Sequence, residues 1–230
     1  MSVHKKILFT IPFAGGNKFS FKAYETFLKN DFDIYPLELP GRGDRFSENL
    51  MTDIYSVRDD LFNQMKDYLD RDYIIYGHSL GGLLSYLVTL LIEEKNLKKP
   101  LHLIISGRAN PSMKAKVIRH TLTKVNFINN LKNLGGMPSD FFKHPDLFDI
   151  FEPILRADFK ISECFYLEEN KKVYTKLSIL YGDNDSFNLK EARAWENFTY
   201  HKPITLQKFK GNHFFIYKHV ESICNLIKAS

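Results

Sequence analysis

At 230 residues the chain is sized for one domain with a substantial core. A content of 44% hydrophobic and 26% charged residues is that of an ordinary globular protein and excludes a low-complexity or disordered class. The net charge of +5 comes from dispersed basic residues, suits an acidic partner, and comes with no nucleic-acid-binding motif.

No apolar run approaches the roughly 20 residues that span a bilayer. The N-terminal apolar stretch is interrupted by Pro12 and Gly15-Gly16 and has no small-residue cleavage site, so it is read as a first strand, not a leader. A cytoplasmic protein is expected. The two cysteines, Cys164 and Cys224, have neither metal-ligand spacing nor a C-x-x-C pairing. They are expected to be buried free thiols in a reducing compartment. No metal and no cofactor is expected.

Lys6 to Phe13 forms an apolar strand ending in the glycine turn Pro12-Phe13-Ala14-Gly15-Gly16. A short helix follows over about Phe21 to Leu28. Asp33 to Leu39 is strand-like and closes in Pro40-Gly41-Arg42-Gly43. Thr52 or Asp53 caps a helix that runs to about Leu69, with Val57, Leu61, Met65 and Tyr68 on one face. The apolar run Tyr73 to Tyr76 leads into Gly77-His78-Ser79-Leu80-Gly81, and Leu83 to Ile92 continues as a helix. Leu101 to Ser106 is the next strand. From about 110 to 170 the alternation breaks into helical patches and loops. Leu177 to Tyr181, Leu189 to Thr199, Ile204 to Phe209 and Phe214 to Lys228 then read strand, helix, strand, helix.

Strands alternating with helices predict a doubly wound, mostly parallel sheet, and the Gly77-His78-Ser79-Leu80-Gly81 turn between strand and helix places it in the α/β-hydrolase class. The whole chain, residues 1–230, is one domain, and the segment at about 110–170 is a helical lid over the strand ends.

A serine between glycines, at a strand–turn–helix junction, fits a nucleophile elbow. Such a serine needs a base and an acid to orient it, following in the order Ser, acid, His. His213, after the last strand, is the candidate base. His78 flanks the site, and the other histidines lack the strand-end context. The acid lies in Tyr181-Gly182-Asp183-Asn184-Asp185. Asp185, three residues past the glycine, is preferred, with Asp183 left as a turn residue. Asp158 is a third, supporting candidate. The oxyanion donors are the backbone N–H of Leu80 and one from the glycine turn, Phe13 or Ala14, with Ala14 preferred. Arg42 is open to two readings, a structural arginine holding loop carbonyls or a substrate contact.

Leu39-Pro40-Gly41-Arg42-Gly43 with Arg45, Ser106-Gly107-Arg108, Leu134-Gly135-Gly136, Leu155-Arg156-Ala157-Asp158-Phe159 and Gly211-Asn212-His213-Phe214-Phe215 join the elbow and the glycine turn in a wider pattern. Together, from Pro12 to Phe215, they resemble type II thioesterases, the stand-alone editing enzymes of nonribosomal peptide and polyketide synthesis. Asn212 departs from that pattern, where a second glycine is more usual. The resemblance implies hydrolysis of acyl groups misloaded on the phosphopantetheine arm of carrier proteins, with Ser79 as nucleophile, His213 as base and Asp185 as acid. Acyl or peptidyl carrier domains are the implied partners of a monomeric enzyme. The alternatives are a carboxylesterase or lipase, a chain-releasing fatty acyl thioesterase, and a non-catalytic binding protein on the same fold. The lid phenylalanines, Phe127, Phe141, Phe142, Phe148, Phe151, Phe159 and Phe165, are expected to be core.

Overall fold

A computed structural model describes residues 5–230; Met1 to His4, part of the segment weighed as a leader, lie outside the described residues. Six strands form one sheet: β1 (Lys6–Ile11), β2 (Phe32–Pro36), β3 (Tyr73–His78), β4 (His102–Ser106), β5 (Leu177–Gly182) and β6 (Thr205–Phe209). Their spatial order is β2-β1-β3-β4-β5-β6, and every neighbouring pair is parallel. The central strands are buried on both faces, which is why they read as continuous apolar runs without alternation.

The helices are α1 (Lys22–Leu28), α2 (Ile54–Met65), α3 (Leu80–Glu94), α4 (Lys124–Leu134), α5 (Pro145–Glu163), α6 (Leu189–Arg193) and α7 (Val220–Lys228). One face of the sheet packs under α2 and α3, with Val57, Leu61, Met65, Leu83 and Leu84 in the core. The other face carries α1 and α7 over Leu8, Ile74, Ile104 and Leu180. Asp53 caps α2 by accepting the Ser56 N–H at 2.7 Å.

The segment read as a lid, and called the lid below, consists of α4, a 3-10 turn at Ser139–Lys143, and α5. It has a core of its own, built on Phe127, Leu131, Phe148, Leu155 and Phe159, with Phe141, Phe142 and Phe151 packed against it. Phe165 packs instead against the main core. Most lid phenylalanines therefore hold the lid together.

Several boundaries differ from the sequence expectation. The second strand ends at Pro36, α6 gives way to a 3-10 turn at Ala194–Phe198, and the last helix starts at Val220 after a 3-10 turn at Phe215–Tyr217. Both cysteines are free, but only Cys224 is buried. Cys164 is exposed at the C-cap of α5.

Candidate active site

In a parallel sheet all strands end at one edge, and five of those ends converge here. Ser79 follows β3 with φ +55°, a conformation that costs a non-glycine residue energy and is held by its surroundings. Its N–H donates to the Ser106 carbonyl at 2.8 Å, and its carbonyl accepts from Gly82 and Leu83 as α3 begins. The flanking glycines are required by space. A Cβ on Gly77 would lie 2.2 Å from the Gly81 carbonyl oxygen, and one on Gly81 would lie 2.0 Å from that of Ile11. The elbow is thus wedged between its own helix and the end of β1.

His213 sits in the loop after β6, buried apart from 8% of its surface. Its Nδ1 lies 3.0 and 3.1 Å from the two Asp185 oxygens, and the Asp185 side chain is wholly buried. Burial pushes the Asp185 carboxyl up, but the hydrogen bonds from His213 and Ser186 outweigh it and hold it below the ordinary carboxylate range. Asp183 is exposed and has a different task. Its Oδ1 accepts the Gly211 N–H at 2.8 Å and so ties the histidine loop to the end of β5. Of the two aspartates, Asp185 reaches the histidine.

Gly107, at φ +63°, is packed against two rings: a Cβ there would come within 2.3 Å of the His78 ring and 3.2 Å of the His213 ring. His78 lies behind His213, with ring centres 4.8 Å apart. Burial, and secondarily His213, lowers the His78 pKa far below the usual value, so the ring is neutral. Its Nδ1 pairs with the Ser106 hydroxyl at 2.9 Å, and that hydroxyl donates to Tyr76. His78 is therefore a buried, neutral backing to His213 and does not line the cavity.

The glycine turn after β1 closes with a Gly16 N–H to Phe13 carbonyl bond of 2.8 Å, and Gly15 has φ +78°. Leu80 is the first residue of α3, so its N–H has no acceptor within the helix. Asp158 and Arg42, singled out separately in the sequence, meet here as a buried pair. The guanidinium donates to the carboxylate at 2.5 and 2.7 Å, and also to the Gly16 carbonyl. Arg42 thus takes the structural reading and is turned away from solvent. Nothing in the sequence joins residues 116 positions apart.

Ser79 and His213 line a single cavity of about 150 Å³ together with Gly107, Arg108, Met113, Phe159, Ser162 and Glu163. One side of its lining is polar. Arg108 donates to the Ser162 hydroxyl at 2.6 Å, and burial lowers the guanidinium to about 10. Glu163 accepts from Arg119 and His120. Arg108 belongs to the Ser106-Gly107-Arg108 pattern after β4, but Ser162 and Glu163 were missed in the sequence, because α5 brings them to that side through folding rather than through a local motif.

Residues 6–230 match the thioesterase-domain family. The chain belongs to that family. The solved structure of ClbQ from the colibactin NRPS/PKS pathway superposes with a TM-score of 0.90 at 30% identity, covering 98% of this chain and 96% of that one. The gramicidin S biosynthesis protein GrsT of Aneurinibacillus migulanus is 27% identical over 99% of this chain and 91% of its own length. The medium-chain S-acyl fatty acid synthase thioesterase of Rattus norvegicus is 26% identical over 94% of this chain and 83% of its own. The fold is that of an α/β-hydrolase, and the thioesterase is a serine hydrolase acting on thioesters. Among the described residues, no helix is long and apolar enough to cross a membrane.

Proposed function

We propose that this thioesterase is a type II, stand-alone editing enzyme that clears misloaded acyl groups from the phosphopantetheine arm of carrier proteins in nonribosomal peptide or polyketide synthesis. The observation that carries the reading is the two-oxygen contact of Asp185 with His213 at the cavity that Ser79 lines. GrsT and ClbQ, by name proteins of gramicidin S biosynthesis and of the colibactin pathway, support the pathway class.

Ser79 Oγ attacks the thioester carbonyl while His213 takes its proton, with Asp185 holding the ring and stabilising its charged form. The tetrahedral oxyanion accepts hydrogen bonds from the Leu80 and Ala14 N–H groups, aided by the positive end of α3. The C–S bond breaks, and His213 gives its proton to the departing pantetheine thiolate. Water then attacks the acyl-Ser79 ester with His213 again as base, releasing the acid and restoring the serine. Carrier domains are acidic partners suited to a chain of net charge +5, and the enzyme acts as a cytoplasmic monomer.

The cavity favours short acyl groups: about 150 Å³ takes a benzene-sized group of roughly six carbons, and a longer chain has to extend through its open side. The test is hydrolysis of acetyl and decanoyl groups on isolated carrier domains, with matched oxygen esters alongside. Acetyl should turn over at least about tenfold faster than decanoyl, and thioesters faster than oxygen esters. Ser79→Ala should lower kcat by about 10⁴-fold or more with the fold intact. Near wild-type turnover by that variant sinks the nucleophile, and a preference for decanoyl points to chain release instead.

A further inference from the structure

The turn that carries Ala14 is the seam between the protein body and the lid. Ala14 packs against both the main core and the lid core. Helix α5 meets the turn through two residues one helical step apart. Leu155 lies so close to Gly15 that a Cβ there would come within 2.4 Å of it. Asp158 Oδ2 accepts the Gly15 N–H at 2.7 Å.

Asp158 is fully buried, and its charge is matched by Arg42, itself 5% exposed. Arg42 also donates to the Gly16 carbonyl at 3.3 Å and the Pro40 carbonyl at 3.5 Å, so it belongs to the body. The pair therefore links lid helix, glycine turn and body at one point. Burying two charges is costly, and such a pair gives little net stability over an apolar one. Its geometry is better explained by what it orients.

We propose that Asp158, held by Arg42, is a positioning residue that fixes the Ala14 N–H, so that the oxyanion hole is complete only while α5 is seated on the body. The Gly15 N–H belongs to the central peptide of the turn. Pinning it, with the Gly16 to Phe13 bond closing the turn, sets the plane of the preceding peptide that carries the Ala14 N–H. Lid opening to admit the acyl arm breaks the Asp158 contact and disables the hole. Closure restores it, coupling substrate enclosure to chemistry. This rests on the proposed role of Ala14 as an oxyanion donor.

The test compares two double variants that both remove the buried charges. Arg42→Met with Asp158→Asn keeps an oxygen that can accept the Gly15 N–H. Arg42→Met with Asp158→Leu does not. The first should keep kcat within about fivefold of the parent. The second should lose about 10²-fold in kcat with KM little changed, and should bind a boronate mimic of the tetrahedral intermediate weaker by a similar factor. Equal kcat in the two overturns the proposal, as does a loss confined to KM. In the unaltered protein, hydrogen exchange of the Gly15 amide should follow the opening of α5, and exchange independent of α5 also overturns it. Ser79→Ala measured in parallel separates the two readings: if it stays active, the nucleophile assignment has failed. If it is inactive while the double variants match, only the coupling has failed.

Discussion

Asp183 and Asp185 lie two residues apart after one strand, yet one is exposed on a turn and the other has its carboxylate wholly buried against His213. The difference decides what each substitution removes. Asp185→Asn leaves a hydrogen-bonding group of the same shape but selects the wrong histidine tautomer, and it should lower kcat by about 10⁴-fold. Asp183→Asn keeps an oxygen for the Gly211 N–H and should cost less than about tenfold. Steady-state kinetics on one acyl-carrier thioester ranks the two, and the reverse order would move the acid role to Asp183. The same contact has a pH consequence. Because the native carboxyl is held below its ordinary range, its contribution to stability is complete above about pH 4 and fades only as pH falls through the lower native value. The triad candidates were legible because chain order and strand ends constrain them. Choosing between two aspartates needed the side-chain geometry.

At the scale of elements, the elbow was readable in detail, whereas the lid segment was placed at about 110–170 without the bounds of its helices. Gly77, Ser79 and Gly81 are a local pattern, and the structure shows the contacts that demand it. Gly81→Ala would drive a methyl into the Ile11 and Pro12 carbonyl oxygens, 2.0 and 2.5 Å away, and backbone there has no free direction to yield. We expect a loss of about 3 kcal/mol in urea unfolding, together with loss of Ser79 labelling by a fluorophosphonate. Unchanged stability would show that the strand end and α3 can separate. By contrast α5 runs 19 residues through an internal Pro153, so local propensity argued for patches. Packing of its Phe148, Leu155 and Phe159 onto Phe127 and Leu131 of α4 overrides the missing N–H and keeps the helix whole.

For the whole molecule, buried neutral histidines set the acid limit. His102, on β4, contacts the Ser178 hydroxyl at 2.8 Å and the Ser230 hydroxyl at 2.6 Å. Burial, with smaller effects from Lys176 and His201, lowers its pKa to about 4. His78 is lowered as well. Between pH 6.5 and 4 the unfolded chain takes up a proton on His102 that the native protein refuses. Stability is therefore full above the unfolded value and falls as pH drops through it. From pH 7 to 5 His102 alone should remove about 2 kcal/mol. His102→Gln should shrink the difference between urea midpoints at the two pH values accordingly. An unchanged difference would mean that His102 is protonated in the folded state.

The amino-acid sequence by itself determined the strand–helix alternation, the elbow, the order of Ser79, an aspartate at 183 or 185 and His213, and the family pattern spread around them. Those are local or ordered signals, since a parallel sheet brings successive strand ends to one edge whatever lies between. Only the tertiary structure decided that Asp185 grips His213, that Asp158 meets Arg42 and Gly15, and that Arg108, Ser162 and Glu163 form one polar side of the cavity. These contacts join residues separated in the chain, and the buried geometry that selects among chemically equivalent side chains exists only once the strand-end loops and α5 have packed together.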